Sequence, residues 1–276
     1  MLTINTNTAS INAQRNLMQT QLRLNGNMGR LSSGNRINTA ADDAAGLAIS
    51  ERFKSQIRSF AQAERNGNDG ISLLQTAEGA LNEMTGVLTR IRELSIQSAN
   101  GTLGSTERVY VDNEAQALIQ ELDRIANVTE FNGASLLTGG PTFAFQVGIQ
   151  GTTNDQISVT ITDMTTATLA AGGLATLSLT TQTNATAALT VLDTAIDGVS
   201  TARAALGTAQ NRIGVSVANL ANARENISAA NSRIRDVDVA AETAEMTRNN
   251  ILTQAGVSVL SQANQMPQIA LKLLQG

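Results

Sequence analysis

A seven-residue repeat in the C-terminal part constrains the fold of this chain more than any other feature. Between residues 187 and 235 an aliphatic side chain recurs at every seventh position without interruption, while the intervening seam positions are mostly polar. The repeat consists of Leu192, Val199, Leu206, Ile213, Leu220, Ile227 and Ile234. A heptad pattern of this length is typical of a coiled-coil helix, which needs a partner helix to cover its apolar side.

A matching apolar pattern runs from about residue 43 to residue 100. Its clearest part alternates steps of three and four residues, and comprises Leu74, Ala77, Leu81, Met84, Leu88 and Ile91. Gly67, Gly70, Gly79 and Gly86 interrupt the pattern, and each costs about 1 kcal/mol relative to Ala in an isolated helix. Such a helix needs tertiary packing, and the glycines mark candidate close contacts. With a third helix ending near residue 129, we expect a mainly α fold whose long antiparallel helices form a coiled-coil rod.

The apolar period changes to two between residues 142 and 181. Alternating apolar residues at 143–149 and 157–161 flank the turn sequence GTTND, which predicts a small β-hairpin with one buried face. The following Thr- and Ala-rich sequence predicts one further short strand at 176–181. We interpret residues 142–186 as this hairpin together with a surface-exposed insert between the helical arms.

The two ends of the chain are amphipathic but weakly apolar. Residues 1–40 contain four arginines and no acid, a composition that resembles an organellar transit peptide. Residues 236–276 carry four acids. We favour the alternative that the termini pair as complementary helices, since both have apolar stripes. The stripes are Leu17, Leu24 and Leu31 at one end, and Leu252, Ala255, Val259, Ala263 and Met266 at the other. Neither end has an aromatic residue, so we infer that packing against other copies orders them.

The composition argues against most enzyme classes. The chain has no His and no Cys, which removes the commonest general base, the Ser-His-Asp triad and thiolate chemistry. It also lacks a phosphate-loop motif and a complete calcium-loop pattern, so we expect no catalysis, no cofactor and no metal site. The net charge of −4 argues against a nucleic-acid partner, and no apolar run is long enough to span a membrane.

Two further sets of polar residues are candidates for chemistry, and both have structural interpretations. The adjacent acids Asp42 and Asp43 point about 100° apart on a helix and cannot clamp one substrate, so we interpret them as caps of a first helical turn. Taken alone, Arg90, Leu94 and Glu114, with Glu93, indicate a solvated charged face beside a core leucine.

Four long segments give the chain its family resemblance. RLSSGNRINTAADDAAGLAISERF (30–53), LTRIRELSIQSANGT (88–102), EFNGASLL (130–137) and VSVLSQANQMPQIALKLLQ (257–275) resemble the hallmark segments of bacterial flagellin. The resemblance implies a short flagellin without the large variable outer domains. It implies an inner terminal coiled-coil domain, 1–40 plus 236–276, and a rod domain, 41–235, which contains the hairpin and insert.

The function implied by the resemblance is mechanical. Such a protein polymerises into the flagellar filament for motility, leaves the cell through type III export, and is extracellular. Its implied partners are other copies, a flagellar export chaperone, and the filament cap and hook-associated proteins. We expect the assembly core to include Leu17, Leu24, Leu31, Leu252, Val259, Leu271, Leu273 and Leu274.

The resemblance also implies that a host Toll-like receptor recognises Arg90, Leu94 and Glu114. The sequence leaves open two alternatives to a filament subunit. The first is a hook–filament junction protein, which shares the terminal patterns. The second is an enzyme-bearing flagellin, for which the short insert and the missing His leave little room.

Overall fold

Long helices make up most of the fold. We describe a computed structural model of the chain for residues 6–139 and 142–275, with side chains up to residue 266 in the last helix. Its five α-helices are α1 (Thr8–Ser33), α2 (Ala44–Ala99), α3 (Ser105–Val128), α4 (Gln182–Arg235) and α5 (Val239–Gln275). The strands are β1 (Glu130–Phe131), β2 (Ala134–Ser135), β3 (Phe143–Gln146) and β4 (Gln156–Val159). The predicted mainly α fold with a small hairpin is confirmed.

The chain divides into two compact units. One unit joins Met1–Ile57 with Glu225–Gly276 and contains α1 and α5, while the other is Arg58–Arg224. Among the described residues, no helix combines the length and the hydropathy needed to cross a membrane.

The core of the Arg58–Arg224 unit lies where α2 and α4 pack against each other. Arg92 Nε lies 2.8 Å from Asp193 Oδ1, and Arg224 Nη1 lies 2.7 Å from Glu64 Oε2, so the two helices run antiparallel. The predicted seam is confirmed, since most of its residues are fully buried. They are Leu74, Ala77, Leu81, Met84, Leu88 and Ile91 on α2, and Leu192, Val199, Leu206 and Ile213 on α4.

Helix α3 adds a third apolar stripe to this core. Its buried residues recur every three or four positions: Val111, Ala115, Ile119, Leu122 and Ala126. The helix is followed by the antiparallel pair β1–β2, which is joined by Asn132 and Gly133. Both residues have positive φ, +50° and +77°, as a two-residue hairpin turn of this hand requires.

The predicted β-hairpin is present but shorter than expected. Phe143 pairs with Val159 and Phe145 with Ile157 in antiparallel register. The strands end at Gln146 and Val159 rather than at 149 and 161, because residues 147–155 form a loop that ends in a short 3₁₀ turn. The Phe145 ring packs over α2 at Gly70, where an added Cβ would lie 2.8 Å from Phe145 Cδ1.

The predicted strand at 176–181 is wrong. These residues, all of them described, contain no strand, because side chains of the helices take up their backbone hydrogen bonds. Leu179 N donates to Asp112 Oδ1 at 2.5 Å, while Leu179 O accepts from Ser98 Oγ at 2.6 Å. Leu177 O accepts from Gln116 Nε2 at 2.6 Å. The expectation of an exposed insert is likewise wrong for its buried leucines, Leu169, Leu174, Leu177 and Leu179.

Candidate functional site

The terminal helices α1 and α5 pair with each other. Near the start of α1, Asn7 Nδ2 donates to the carbonyl of Ala263 at 2.8 Å, and near its end Arg30 Nη1 lies 3.4 Å from Glu242 Oε1. The order of these contacts makes the pair antiparallel. Asn7 also caps α1, since its Oδ1 accepts from Ser10 N at 3.0 Å. This pairing confirms the interpretation of the termini as complementary helices.

The buried part of the contact between α1 and α5 is mostly polar. Leu17 packs on Gly256, where an added Cβ would lie 3.2 Å from Leu17 Cδ1. Leu31 is only partly buried. The buried residues of the two helices, as far as the described side chains go, are Ser10, Leu24, Asn27, Asn249 and Ala263. We call this surface the terminal seam. Because three of these five side chains are polar, the seam buries little apolar surface.

Much of the apolar surface of α1 faces away from the seam. Ile11, Met18 and Leu22 lie within about 40° of one another around the helix, and roughly 120° from Leu17 and Leu24. Met18 is 63% exposed and Leu22 is 66% exposed. We call Ile11, Met18 and Leu22 the α1 stripe. This stripe was not predicted, although its steps of seven and four residues are visible in the sequence.

Helix α5 has a corresponding stripe. Leu252, Val259 and Met266 step by seven residues and are all exposed, Val259 by 56%. They lie about 60° around the helix from Asn249, Gly256 and Ala263, and therefore beside the seam rather than in it. We call these three residues the α5 stripe. Exposed apolar side chains arranged in lines indicate a surface for contacts with other proteins.

The residues predicted for the assembly core fall in different places. Leu24 is buried in the terminal seam, and Leu17 and Leu31 lie at its edges. Leu252 and Val259 belong to the α5 stripe. The remaining members are in α5, but their side chains lie outside the described residues: Leu271, Leu273 and Leu274.

The adjacent acids Asp42 and Asp43 both accept backbone hydrogen bonds, but only Asp43 caps the first helical turn as predicted. Asp43 Oδ1 accepts from Gly46 N at 2.9 Å and so caps the first turn of α2. Asp42 lies before the helix rather than in its first turn, because α2 begins only at Ala44. Its Oδ2 accepts from Thr39 N at 2.9 Å and from Thr39 Oγ1 at 3.0 Å, and these hydrogen bonds, the backbone one foremost, lower the pKa of Asp42.

The predicted receptor residues are divided between surface and core. Arg90 and Glu114 are exposed, with Arg90 Nη2 2.8 Å from Glu114 Oε1. The hydrogen bond to Glu114, and after it the one to Glu93, raises the pKa of Arg90. Leu94 is 1% exposed and packs in the core of the Arg58–Arg224 unit. An ion pair on the surface is therefore the part of this group that a partner would contact directly.

The metal-ligating side chains of this chain are carboxylates, since it has no His and no Cys. Within residues 6–139 and 142–275, no three His, Cys, Asp or Glu side chains cluster in a way that would hold a metal ion.

Comparisons with known proteins agree with the sequence resemblance. Residues 4–142 match the family described as bacterial flagellin N-terminal helical region, and residues 189–274 match the bacterial flagellin C-terminal helical region. The chain is 45% identical over 273 residues to a flagellin of Halalkalibacterium halodurans and 44% identical over 304 residues to a flagellin of Bacillus subtilis, and in both cases 99% of each chain is covered. The crystal structure of Bacillus cereus flagellin is similar over 56% of this chain and 88% of its own, with a TM-score of 0.51 and 34% identity.

Proposed function

Since this chain belongs to the bacterial flagellin family, as a structural subunit of the flagellar filament and not an enzyme, we propose that α1 and α5 make the contacts that join one copy to the next. The observation that carries this proposal is the exposure of the α1 stripe and the α5 stripe beside a polar seam. The relatives are flagellins, so they give no support to a hook–filament junction protein.

Burial energetics support this role for the stripes. Covering an exposed Leu, Ile, Val or Met side chain contributes about 1.5–3 kcal/mol, and the terminal seam uses few such side chains. Neighbouring copies supply the missing apolar surface. Of the residues predicted for the assembly core, Leu17, Leu24 and Leu31 hold α1 on α5. The contacts between copies are made by the α1 stripe and by the predicted residues of α5, which are Leu252, Val259, Leu271, Leu273 and Leu274.

The functional division of the chain follows the connections between helices. We place the inner coiled-coil domain at 1–40 plus 236–276 and the rod domain at 41–235. In support of this boundary, the two connections bond to each other: Arg36 N donates to Arg235 O at 2.6 Å, and Val237 N donates to Gly34 O at 3.1 Å. The ends of α1 and α4 and the start of α5 are thereby fixed to one another.

Further partners belong to the same proposal. The chain is exported through the type III apparatus with a chaperone bound near its C-terminus, and meets the filament cap and the hook-associated proteins outside the cell. A host Toll-like receptor contacts the Arg90–Glu114 pair, while buried Leu94 supports the helix beneath Arg90.

The test compares two double variants of the α5 stripe. L252N/V259N makes the stripe polar, and L252M/V259I keeps it apolar as a matched control. We expect L252N/V259N to raise the critical concentration for polymerisation at least about tenfold, because roughly 1.4 kcal/mol corresponds to a tenfold change and the two half-exposed side chains together contribute at least that. The control should polymerise like the unmodified chain. Equal critical concentrations in pelleting assays of both variants would refute the proposed contact.

A further inference from the structure

The terminal seam contains one connected group of buried polar side chains. With its amide oriented to match its neighbours, Asn27 Nδ2 donates to Glu242 Oε1 at 3.1 Å, and its Oδ1 accepts from Asn249 Nδ2 at 3.1 Å. The same Glu242 oxygen accepts a hydrogen bond from Arg30 Nη1 at 3.4 Å. Asn27 and Asn249 are almost fully buried. We call Asn27, Arg30, Glu242 and Asn249 the polar cluster.

The polar cluster is sensitive to the axial position of α1 along α5. A slip by one heptad would move Asn27 by about 10 Å, so that it faces Asn249, Thr253 and Gly256 in place of Glu242, Met246 and Asn249. Gly256 has no side chain, and the Thr253 hydroxyl already donates to the carbonyl of Asn249 at 2.8 Å. Asn27 Nδ2 would keep its hydrogen bond to the carbonyl of Arg23 in its own helix, at 3.0 Å, but Asn27 Oδ1 would lose the Asn249 side chain, for which Gly256 offers no substitute. A buried amide oxygen that loses its side-chain partner is unfavourable.

The apolar part of the seam discriminates weakly between registers. It is lined by leucines on α1 and by Gly256 and Ala263 on α5, and small or flexible apolar side chains repack after a slip with little loss. At the other end of the seam, buried Ser10 donates to Asn264 Oδ1 at 2.8 Å and adds a second polar contact to the polar cluster. In coiled coils, a single buried polar position is sufficient to specify the register of the helices.

We propose that the polar cluster is a register lock, which fixes the axial position of α1 on α5 and thereby the offset between the α1 stripe and the α5 stripe. This inference rests on the proposed function of the stripes. A helical polymer repeats one contact many times, so each copy must present both stripes at the same offset. Asn27, Asn249 and Glu242 are therefore specificity residues for self-association, although they do not belong to either stripe.

Cysteine pairs report the register directly, because the chain has no Cys of its own. L17C/G256C reports the native register: a Cβ at position 256 lies 3.9 Å from Leu17 Cβ, within the usual Cβ–Cβ range of a disulfide, about 3.5–4.5 Å. L24C/G256C reports a slip by one heptad. Each pair is introduced into the full chain and into N27L/N249L. Disulfide formation within one chain is measured in a glutathione buffer on non-reducing gels, in filaments and in monomers.

In the otherwise unmodified chain, we expect the native pair to form a disulfide at least about tenfold more than the slipped pair. N27L/N249L should reduce this ratio by about tenfold, and E242Q, which keeps an acceptor for Asn27 and Arg30, should preserve it. An unchanged ratio in N27L/N249L would overturn the register lock. The single variant N249A, which removes the side-chain partner of Asn27 Oδ1, keeps the test decisive if N27L/N249L does not fold, since an unchanged ratio in N249A would also count against the lock.

A rescue experiment separates the lock from the proposed function. N27L/N249L should polymerise poorly when reduced, and the L17C/G256C disulfide should restore polymerisation by holding the native register. Failure of this rescue, with normal filaments from the unmodified chain, overturns the role of the lock in assembly and leaves the filament contacts intact. If L252N/V259N formed filaments as readily as the unmodified chain, the proposed contacts would be refuted, whereas the disulfide ratio would still report the register.

Discussion

Gly67 of α2 lies so close to Val217 of α4 that a β-carbon on Gly67 would be 2.5 Å from Val217 Cγ2. A second methyl group, Cγ2 of Ile213, would be 3.4 Å away. The two helices therefore meet at a position where only a hydrogen atom fits. Gly79, farther along α2, has nothing within 4 Å of the same hypothetical atom, so the two glycines have different roles.

We predict opposite effects for G67A and G79A. G79A should raise the free energy of unfolding by about 0.5–1 kcal/mol, because Ala is the better helix former and no neighbour is displaced. G67A should lower it by about 1 kcal/mol, since the clash with stiff, branched Val217 exceeds the gain in helix propensity.

Denaturant unfolding of the two variants measures both effects. The double variant G67A/V217A should recover most of the loss in G67A, because it removes the clashing methyl group. A G67A variant as stable as G79A would show that α4 is free to move away at this position.

Glu51 gives a pH-dependent prediction. It lies 2.7 Å from Arg235 Nη1 and 3.1 Å from Lys54 Nζ, and the hydrogen bond from Arg235, followed by that from Lys54, lowers the pKa of Glu51 below its ordinary value of 4.5. A lowered folded-state pKa stabilises the fold above the unfolded pKa, and this contribution is lost as the pH falls through the folded pKa.

We therefore expect E51Q to be less stable than the unmodified chain at neutral pH, with a difference that shrinks as the pH falls below 4.5. Thermal unfolding at a series of pH values measures this difference. R235Q removes the main cause of the shift and should reproduce the loss at neutral pH. A gap between E51Q and the unmodified chain that stays constant in acid would contradict the pairing.

The receptor proposal is tested on two neighbouring arginines. R90A removes the partner of Glu114, whereas R92A removes the partner of Asp193, 2.8 Å away, on the same helix. We expect R90A monomers to activate a cell reporter for the Toll-like receptor about tenfold less well, as for a central interface residue, and R92A to stay within about twofold. Equal responses to both variants would remove Arg90 from the receptor contact.

Removal of residues 1–30 tests the role of the termini as a whole. This deletion eliminates most of α1, including the α1 stripe, but leaves the Arg58–Arg224 unit complete. We expect a soluble, folded chain that does not polymerise. Circular dichroism should show that the α2–α4 helices persist, and sedimentation should show no polymer at concentrations where the intact chain pellets. Robust filaments from the shortened chain would contradict the assignment.

Much of the fold was predictable from local patterns. The heptad repeat identified α4 because its apolar period is long and uninterrupted, and Leu74 to Ile91 identified the buried side of α2 for the same reason. Asp43 was predictable as a cap from its position before an apolar helix. Each of these features depends on the residue types within one short stretch, so it can be predicted without knowing how distant parts of the chain pack.

Other features depend on distant residues and were not predictable. The segment around Leu179 has the composition of a strand, but Asp112 and Ser98 take up its backbone groups, and those helix residues are far away in sequence. For the candidate site, the leucines at 17, 24 and 31 were visible as one line. The packing of Gly256 and Asn249 against α1 decided that this line faces the seam, leaving Met18 and Leu22 outside.

The polar character of the terminal seam has a calorimetric consequence. Separating α1 from α5 within one chain exposes little apolar surface, so the heat capacity changes little in that step. Covering the two stripes by neighbouring copies removes far more apolar surface from water and carries a negative heat-capacity change. The temperature dependence of the terminal helices thus resides mainly in the contacts between copies, and cold weakens the junctions between subunits more than it weakens each terminal pair.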